Sequence, residues 1–251
     1  MTLRIFTGTS FSRSSKGLAF IRGVIGYNSK RDSFLRFMGG PLALRAVVFD
    51  YGIVLTGPPC AEAWEAMKRI TGLPEERFRP LFWDDRPAYD EGKLNGIGYW
   101  QNFLAKAGLP QDEAMVEKLN GWDMRLWTVE NPLMVAWQIQ LKERGLKTAI
   151  LSNMGDAVLE SVLRAFAWIN RFDLCVWSYQ LGIAKPDPAI YLYTLDKLGT
   201  HPEETLFIDD KRENVWAARA LGIQAIEYVS VDQLRRELIA SGLEAVLPLP
   251  A

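Results

Sequence analysis

The sequence predicts an α/β protein in which a parallel sheet is flanked by helices and an all-helical segment is inserted after the first strand. Three short apolar runs bounded by turn residues indicate buried parallel strands over 45–50, 147–153 and 205–210. Helical patterns alternate with these runs, which is typical of parallel strands joined by crossover helices. Residues 57–130 differ, because helical patterns dominate there and no strand-like run stands out.

The elements of the core are marked by their ends. The first strand candidate has four consecutive apolar residues before Asp50, and Gly52 follows it. Pro188 suits a first helical turn, and Gly145 and Gly222 suit helix ends. Helical patterns cover 132–144, 156–166, 188–198, 213–221 and 231–243, and weaker strand patterns cover 174–177 and 223–228. The core is therefore predicted over 41–56 and 131–251.

Residues 57–130 are predicted to form a helical cap, with helical patterns such as 61–70 and 111–120. The segment is dense in aromatic residues, namely Trp64, Phe78, Phe82, Trp83, Tyr89, Tyr99, Trp100, Phe103, Trp122 and Trp127. Such side chains more often pack in a core than bind a substrate. We therefore assign none of them to a ligand.

Residues 1–40 carry seven Lys or Arg and one acid, so they hold a charge of +6 in a chain of net charge −1. This segment is rich in Ser, Gly and Arg, and it lacks the compact apolar stretch of a secretory signal. We expect a disordered, non-functional basic extension. A transit peptide, or an upstream stretch before a start at Met38, stays open as an alternative.

Composition narrows the function classes. A net charge of −1 gives no reason to expect nucleic acid as a partner, and no apolar run approaches the roughly 18 residues that span a bilayer. Cys60 and Cys175 lack CxxC spacing and suit reduced thiols in a cytoplasmic protein. His201 is the single histidine, which excludes a His-rich metal site. The oligomeric state stays open.

Polar residues follow three of the predicted strands: Asp50, then Ser152 with Asn153, then Asp209 with Asp210. Ligands bind beyond the carboxyl ends of parallel strands, so these side chains are expected to meet at one edge. Carboxylates that meet repel each other, and a hard cation removes that conflict. Mg²⁺ takes oxygen ligands, whereas zinc favours His and Cys, so we expect magnesium.

Four segments in order resemble the motifs of the haloacid dehalogenase superfamily, over about residues 45–230. The segments are 49–56 (FDYGIVLT), 151–153 (LSN), 182–188 (GIAKPDP, with Lys185) and 206–210 (LFIDD) followed by Asn214 and 217–222. The resemblance is to the branch called subfamily IA, with a helical C1-type cap after the first motif. It implies a Rossmann-like core carrying an inserted cap.

The resemblance implies catalytic roles for Asp50, Ser152 and Lys185. Asp50 would attack phosphorus and form an aspartyl-phosphate. Ser152 would donate a hydrogen bond to a phosphoryl oxygen, and Lys185 would neutralise the phosphate and keep Asp50 ionised. Asn153 and Tyr51 complete the expected phosphate-binding set. Ordinary capping by Ser152 and a solvated loop position for Lys185 stay open.

The resemblance also implies the ligands of Mg²⁺. They are Asp50, the backbone carbonyl of Gly52, and one or both of Asp209 and Asp210. We favour Asp210 as the direct ligand of the tandem pair, with Asp209 acting through water. A role for one of them as the N-cap of the next helix stays open.

Gly52 departs from the family's phosphatases, which usually place there an aspartate that transfers protons to the leaving group and from water. Glycine cannot transfer a proton, and such catalysis is typically worth about 10²–10⁴-fold. The cap offers four acids that could replace it, namely Asp84, Asp85, Asp90 and Glu91. A good leaving group would also remove the need for it.

The leading hypothesis is a magnesium-dependent phosphatase of a small phosphorylated metabolite. The first alternative is a non-catalytic binding or regulatory module, in which Gly52 marks lost catalysis. A metal-independent 2-haloacid dehalogenase is less favoured, because the family's dehalogenases lack the tandem acids found here at Asp209 and Asp210. They also place an aromatic residue at the position of Gly52 and a glycine at that of Ile53.

Overall fold

The computed structural model describes residues 44–250. The basic extension predicted over 1–40 lies outside the described residues. Among the helices of the described part, none is long and apolar enough to cross a membrane.

Five parallel strands form one sheet in the order β3-β2-β1-β4-β5. The strands are β1 (Ala46–Phe49), β2 (Lys147–Ser152), β3 (Leu174–Trp177), β4 (Thr205–Asp209) and β5 (Gln224–Glu227). Ala46 lies opposite Lys147 on one side and Thr205 on the other. The predicted α/β class is confirmed, and both weaker strand patterns form strands of the sheet.

The apolar residues of β1 explain its central place. Ala46 and Val48 pack into the core on one face of the sheet, and Val47 and Phe49 pack into the core on the other. Successive side chains of a strand point to opposite faces, so a continuous apolar run is needed where both faces are covered. The ring of Phe49 meets Trp137 edge to face, with 5.6 Å between ring centroids.

Residues 57–130, here called the insertion, fold into five helices. They are α1 (Ala61–Thr71), α2 (Glu75–Asp84), α3 (Arg86–Asp90), α4 (Gly96–Ala107) and α5 (Glu113–Leu126). Most of the aromatic residues noted in the sequence pack in its interior, and Phe78, Phe82, Tyr99 and Trp100 are fully buried. Where the chain leaves and re-enters the core, Thr56 pairs with Glu130 in an antiparallel bridge.

Six further helices surround the sheet. They are α6 (Pro132–Glu143), α7 (Asp156–Ala165), α8 (Ser178–Leu181), α9 (Pro188–Leu198), α10 (Arg212–Ala220) and α11 (Val231–Ala240). Most differ from the predicted ranges by one to three residues at an end. The largest difference is α5, predicted over 111–120. It starts later because the Asp112 side chain caps it by accepting from Met115 N at 2.9 Å, and it continues through Gly121.

Candidate active site

Asp50 lies immediately beyond the carboxyl end of β1, at the centre of the sheet edge. Its backbone N donates to Ile208 O at 2.8 Å, which continues the ladder to β4. Its carboxylate Oδ1 accepts from Tyr51 N at 2.7 Å. The side chain is thus held at one end by the sheet and at the other by the turn that follows.

That turn covers Tyr51–Leu55 as a single wide helical turn, with non-helical angles at two positions. Ile53 has φ 64°, a left-handed conformation that a β-branched residue rarely adopts. Thr56 holds it there, since Thr56 Oγ1 accepts from Ile53 N at 3.0 Å. Backbone strain of this kind clusters at functional sites, where the surrounding structure enforces it.

Lys185 joins three strand ends through one ammonium group. Its Nζ donates to Leu151 O at 2.7 Å and to Asp209 Oδ2 at 2.6 Å, and it lies 3.0 Å from Asp50 Oδ1. An ammonium has three donors, so these contacts use all of them. With its side chain only 1% exposed, Lys185 is a buried bridge between two carboxylates.

Asp209 is fully buried, and its carboxylate accepts from three partners. They are Lys185 Nζ, Asn214 Nδ2 at 2.9 Å and Lys211 N at 2.8 Å. These donors satisfy both carboxylate oxygens within the protein. That Asp209 acts less directly than Asp210 stays a prediction.

Three carboxylates meet at this edge, with one oxygen of each within 4.8 Å of the others; they belong to Asp50, Asp209 and Asp210. Burial, together with the charges of Asp50 and Asp209, raises the pKa of Asp210 to about 7. Burial also raises the pKa of Asp50, and Asp209 adds to that rise while Lys185 opposes it. One buried ammonium thus faces three carboxylates. The donor set, which is all oxygen with one half-buried carboxylate, fits a hard divalent cation.

Asn153 lies at the predicted edge but uses its side chain within the protein. Its Nδ2 donates to Lys185 O and its Oδ1 accepts from Lys185 N, both at 2.8 Å. The amide therefore clamps the backbone of Lys185 and positions its side chain. Ser152, at the end of β2, lines the cavity beside Asp50 as predicted.

Tyr51 is placed differently from the sequence expectation of phosphate binding. Its ring is buried beside Trp168 and Trp177, and its hydroxyl donates to Trp127 O at 2.8 Å. The phenol thus anchors the first turn of the site to the end of the insertion. Tyr51 could therefore bind phosphate only through its backbone.

A cavity of about 260 Å³ lies between the sheet edge and the insertion. From the predicted site it is lined by Asp50, Tyr51, Gly52, Ser152, Asn153, Lys185 and Asp210, while Asp209 lies behind them. Sequence analysis did not assign several further wall residues to the site, among them Trp83, Arg86, Trp127 and Lys211. The first three lie in the insertion, and their position depends on how its helices pack, whereas Lys211 directly follows Asp210.

Arg86 is the centre of a second buried charge cluster, in the wall of this cavity. Its Nη1 donates to both carboxylate oxygens of Asp123 at 3.0 Å, and its Nε donates to Asp90 Oδ1 at 3.3 Å. Its guanidinium carbon lies 5.1 Å from the ring centre of Tyr89 and 5.2 Å from that of Phe82. The cation is thus held by two carboxylates and an aromatic cage.

The family model for haloacid dehalogenase-like hydrolases matches residues 44–222. Mouse acyl-CoA dehydrogenase family member 10 is 30% identical over 223 residues, which is 84% of this chain but 20% of that relative. The chain thus spans about a fifth of its length. A phosphatase of Mycobacterium tuberculosis is 30% identical over 189 residues, which is 73% of this chain and 87% of the relative. Shorter segments, of 86 residues at 34% identity, match a (S)-2-haloacid dehalogenase of Pseudomonas sp..

Among solved structures, the fold resembles a haloacid dehalogenase-family enzyme of Bacteroides thetaiotaomicron in complex with magnesium and inorganic phosphate. The TM-score is 0.62 at 21% identity, over 76% of this chain and 99% of the other. At this identity the likeness concerns the fold. The match of the family model shows that the chain belongs to the haloacid dehalogenase-like hydrolases.

Proposed function

We propose that this hydrolase is a magnesium-dependent phosphatase of a small phosphorylated metabolite. The observation that carries the proposal is the cluster of three carboxylates around one buried ammonium, with Asp50 at its centre. Such a cluster favours a divalent cation and then an anionic substrate. The phosphatase among the relatives and the magnesium–phosphate complex of the structural neighbour support it.

Asp50, Asp210 and the carbonyl of Gly52 would hold Mg²⁺, and Asp209 would contribute from behind. When bound, Mg²⁺ supplies the positive charge that the cluster lacks and draws the phosphate toward the carboxylates. Asp209, with its three donors, fixes Lys185 in place. Lys185 in turn keeps Asp50 ionised, as a nucleophile requires.

The reaction would proceed in two displacements at phosphorus. A carboxylate oxygen of Asp50 bonds to phosphorus while the bond to the leaving oxygen breaks, which gives an aspartyl-phosphate. Water then attacks phosphorus, the bond to Asp50 breaks, and phosphate leaves. Ser152, at the cavity wall, donates to a phosphoryl oxygen in both steps and stabilises the charge that develops there.

The insertion would act as the cap that selects the substrate. It brings Trp83, Arg86, Asp90 and Trp127 to the cavity. A cavity of about 260 Å³ suits a small metabolite rather than a polymer. We propose the boundaries 57–130 for this cap and 41–56 with 131–251 for the catalytic core. The two free thiols, Cys60 and Cys175, support a cytoplasmic location.

A non-catalytic binding module is the second candidate, and Gly52 is the observation that favours it. Such a module would bind Mg²⁺ and a phosphorylated ligand at this same cavity without turnover. A dehalogenase would need no cation, and the crowding of Asp209 and Asp210 beside Asp50 would then serve no purpose. The carboxylate cluster therefore favours phosphate chemistry over attack on carbon.

The test is release of phosphate from a panel of phosphorylated metabolites, first with Mg²⁺ and then with EDTA. Every active compound is repeated with Asp50→Asn and with Asp196→Asn, which changes an exposed carboxylate on α9. We expect turnover that needs Mg²⁺, is lost in Asp50→Asn and is unchanged in Asp196→Asn. A folded protein that binds Mg²⁺ but releases no phosphate would instead support the binding module.

A further inference from the structure

The proposed reaction lacks a proton donor at Gly52, and the structure distinguishes the four acids that could replace one. Asp84 and Asp85 both pair with Lys106 on the outer side of the insertion, and Glu91 pairs with Lys93. Of the four, only Asp90 is among the residues that line the cavity with Asp50. Its side chain is 14% exposed and pairs with Arg86.

We propose that Asp90 is the general acid and general base of this site, and that it performs from the insertion the proton transfers for which Gly52 has no side chain. This inference rests on the proposed phosphatase function. It assigns a catalytic role to the insertion, which would otherwise only enclose the substrate.

Asp90 is held in place from both sides of the cavity. Within the insertion, Arg86 Nε donates to its Oδ1 at 3.3 Å. From the core, Ser178 Oγ donates to its backbone O at 2.5 Å, and the same hydroxyl accepts from Met154 N at 2.9 Å. Met154 follows the strand end that carries Ser152. The backbone of Asp90 is therefore tied through one hydroxyl to the loop that bears the phosphate-binding residues.

Two glycines allow the approach that this tie needs. A Cβ at Gly155 would lie 2.2 Å from the ring of Tyr89, the residue before Asp90. A Cβ at Gly92 would lie 2.7 Å from Tyr179 O. Real Cβ atoms do not approach so closely, so any side chain at either position would push the Asp90 turn away from the core.

The charges around Asp90 suit a group that must hold and then release a proton. Burial raises the pKa of Asp90, and Asp123 adds to that rise, while Arg86 and Lys211 oppose it. Lys211 also opposes the rise in the pKa of Asp50, so one lysine favours the ionised form of both carboxyl groups. A general acid works best when its pKa lies near the working pH.

As the phosphorus–oxygen bond of the ester breaks, the proton of Asp90 passes to the leaving oxygen, and a neutral alcohol departs. The carboxylate of Asp90 then accepts a proton from water while the water oxygen bonds to phosphorus and the bond to Asp50 breaks. Phosphate leaves, and both carboxyl groups return to their starting states.

The experiment uses the Mg²⁺-loaded protein and the variant Asp90→Asn, with Glu91→Gln as the matched control. Turnover is measured on the best alkyl phosphate of the panel and on p-nitrophenyl phosphate, whose leaving group needs no proton. We expect Asp90→Asn to slow the alkyl ester by about 10²–10⁴-fold. On p-nitrophenyl phosphate, Asp90→Asn should still release a first burst of nitrophenolate. The phosphoryl-enzyme should then accumulate, because the variant no longer activates water. Glu91→Gln should match the wild type on both esters.

A rescue separates this catalytic role from a structural one. A Cβ at Gly52 would meet the ring of Trp127 at an ordinary 3.6 Å, so the backbone there has room for the start of a side chain. In the Asp90→Asn background, Gly52→Asp should raise turnover of the alkyl ester by about tenfold or more. In the wild-type background, Gly52→Asp should not raise turnover of the alkyl ester. Thermal unfolding, followed by circular dichroism, shows whether a loss of turnover comes from a loss of stability.

The outcomes separate the two proposals. If the wild type releases phosphate and Asp90→Asn is equally fast on the alkyl ester, the role of Asp90 is overturned and the phosphatase stands. Equal slowing of both esters and of the burst, without rescue by Gly52→Asp, also overturns it. If the wild type gives neither turnover nor burst, the phosphatase proposal fails, and the role of Asp90 with it.

Discussion

Two buried clusters of this protein have the same charges but different surroundings. At the sheet edge, Lys185 lies between Asp50 and Asp209, and we call these three residues the sheet-edge cluster. In the insertion, Arg86 lies between Asp123 and Asp90, and these form the insertion cluster. Each places one cation between two carboxylates, away from water.

The difference lies in what surrounds each cation. Arg86 binds Asp123 with two hydrogen bonds and is caged by aromatic rings, which adds cation–π stabilisation. The single ammonium of Lys185 is outnumbered at the sheet edge, because Asp210 adds a third carboxylate to those of Asp50 and Asp209. The insertion cluster is therefore built for structure, with Asp90 as the member that reaches the cavity. The sheet-edge cluster is short of positive charge and suits a metal.

The strongest test of this contrast is removal of the cation of the insertion cluster. Arg86→Met leaves Asp123, which is 1% exposed, without its partner, and we expect a loss of about 3–5 kcal/mol in the free energy of unfolding. Urea denaturation measures it, and Mg²⁺ should not restore it. The control Arg79→Met removes an exposed ion pair with Glu75 and should shift the midpoint little. Similar midpoints for both variants would contradict a structural role for Arg86.

The matching change at the sheet edge should behave differently. Lys185→Met leaves three carboxylates facing each other, so in EDTA we expect a loss of about 3–5 kcal/mol. Saturating Mg²⁺ should restore part of that stability, since it supplies the missing charge. Turnover should stay about 10²–10³-fold below the wild type, as for loss of one charge-stabilising donor. Urea denaturation of Lys185→Met with and without Mg²⁺ measures this difference. Equal losses in the free energy of unfolding under both conditions would argue against a Mg²⁺ site beside Lys185.

Metal removal from the wild type sharpens the comparison further. Mg²⁺ at 100 times its dissociation constant should stabilise the fold by about 2.7 kcal/mol relative to EDTA. The gain should be much smaller in Asp210→Asn, which loses the half-buried ligand, and it should persist in Arg86→Met. Thermal unfolding followed by circular dichroism measures all three proteins. An undiminished gain in Asp210→Asn would place the metal elsewhere.

The smallest predicted effects concern two glycines. Gly155→Ala puts a Cβ against the ring of Tyr89, and we expect a loss of about 1–3 kcal/mol from overpacking, with slower turnover because Asp90 moves. Gly121→Ala, inside α5 with open space around it, should instead add about 0.5–1 kcal/mol. Calorimetric midpoints of the two variants should shift in opposite directions. A stabilised Gly155→Ala would refute the close contact on which the position of Asp90 depends.

Sequence reasoning reached the two carboxylates of the sheet-edge cluster because local patterns specify them, whereas Lys185 was expected only from the family resemblance. Apolar runs predict the strands, and the polar residues that end them, such as Asp50 and Ser152, must meet at one edge of a parallel sheet. The predicted strand ends extend past the observed strands by a residue at Asp50, Asn153 and Asp210. These residues lie just beyond the assigned strands, at the sheet edge where the cavity is.

The insertion cluster could not be predicted in the same way. Arg86 and Asp123 lie on different helices, 37 residues apart, and only the packing of those helices brings them together. For the same reason, the sequence left four acids as equal candidates for proton transfer, and the place of Asp90 in the cavity wall distinguishes one. The clamp of Asn153 on the backbone of Lys185 is likewise a contact between distant loops.

In the proposed reaction, Asp50 of the sheet-edge cluster carries the phosphoryl group during turnover. The most direct measurement is acid quench of the Mg²⁺-loaded protein during turnover of its best phosphate ester, followed by peptide mass spectrometry. We predict one phosphoryl group, removed by hydroxylamine, on the peptide that contains Asp50, and none in Asp50→Asn. Phosphate release without phosphoryl transfer to that peptide, or with transfer to another residue, would contradict the account.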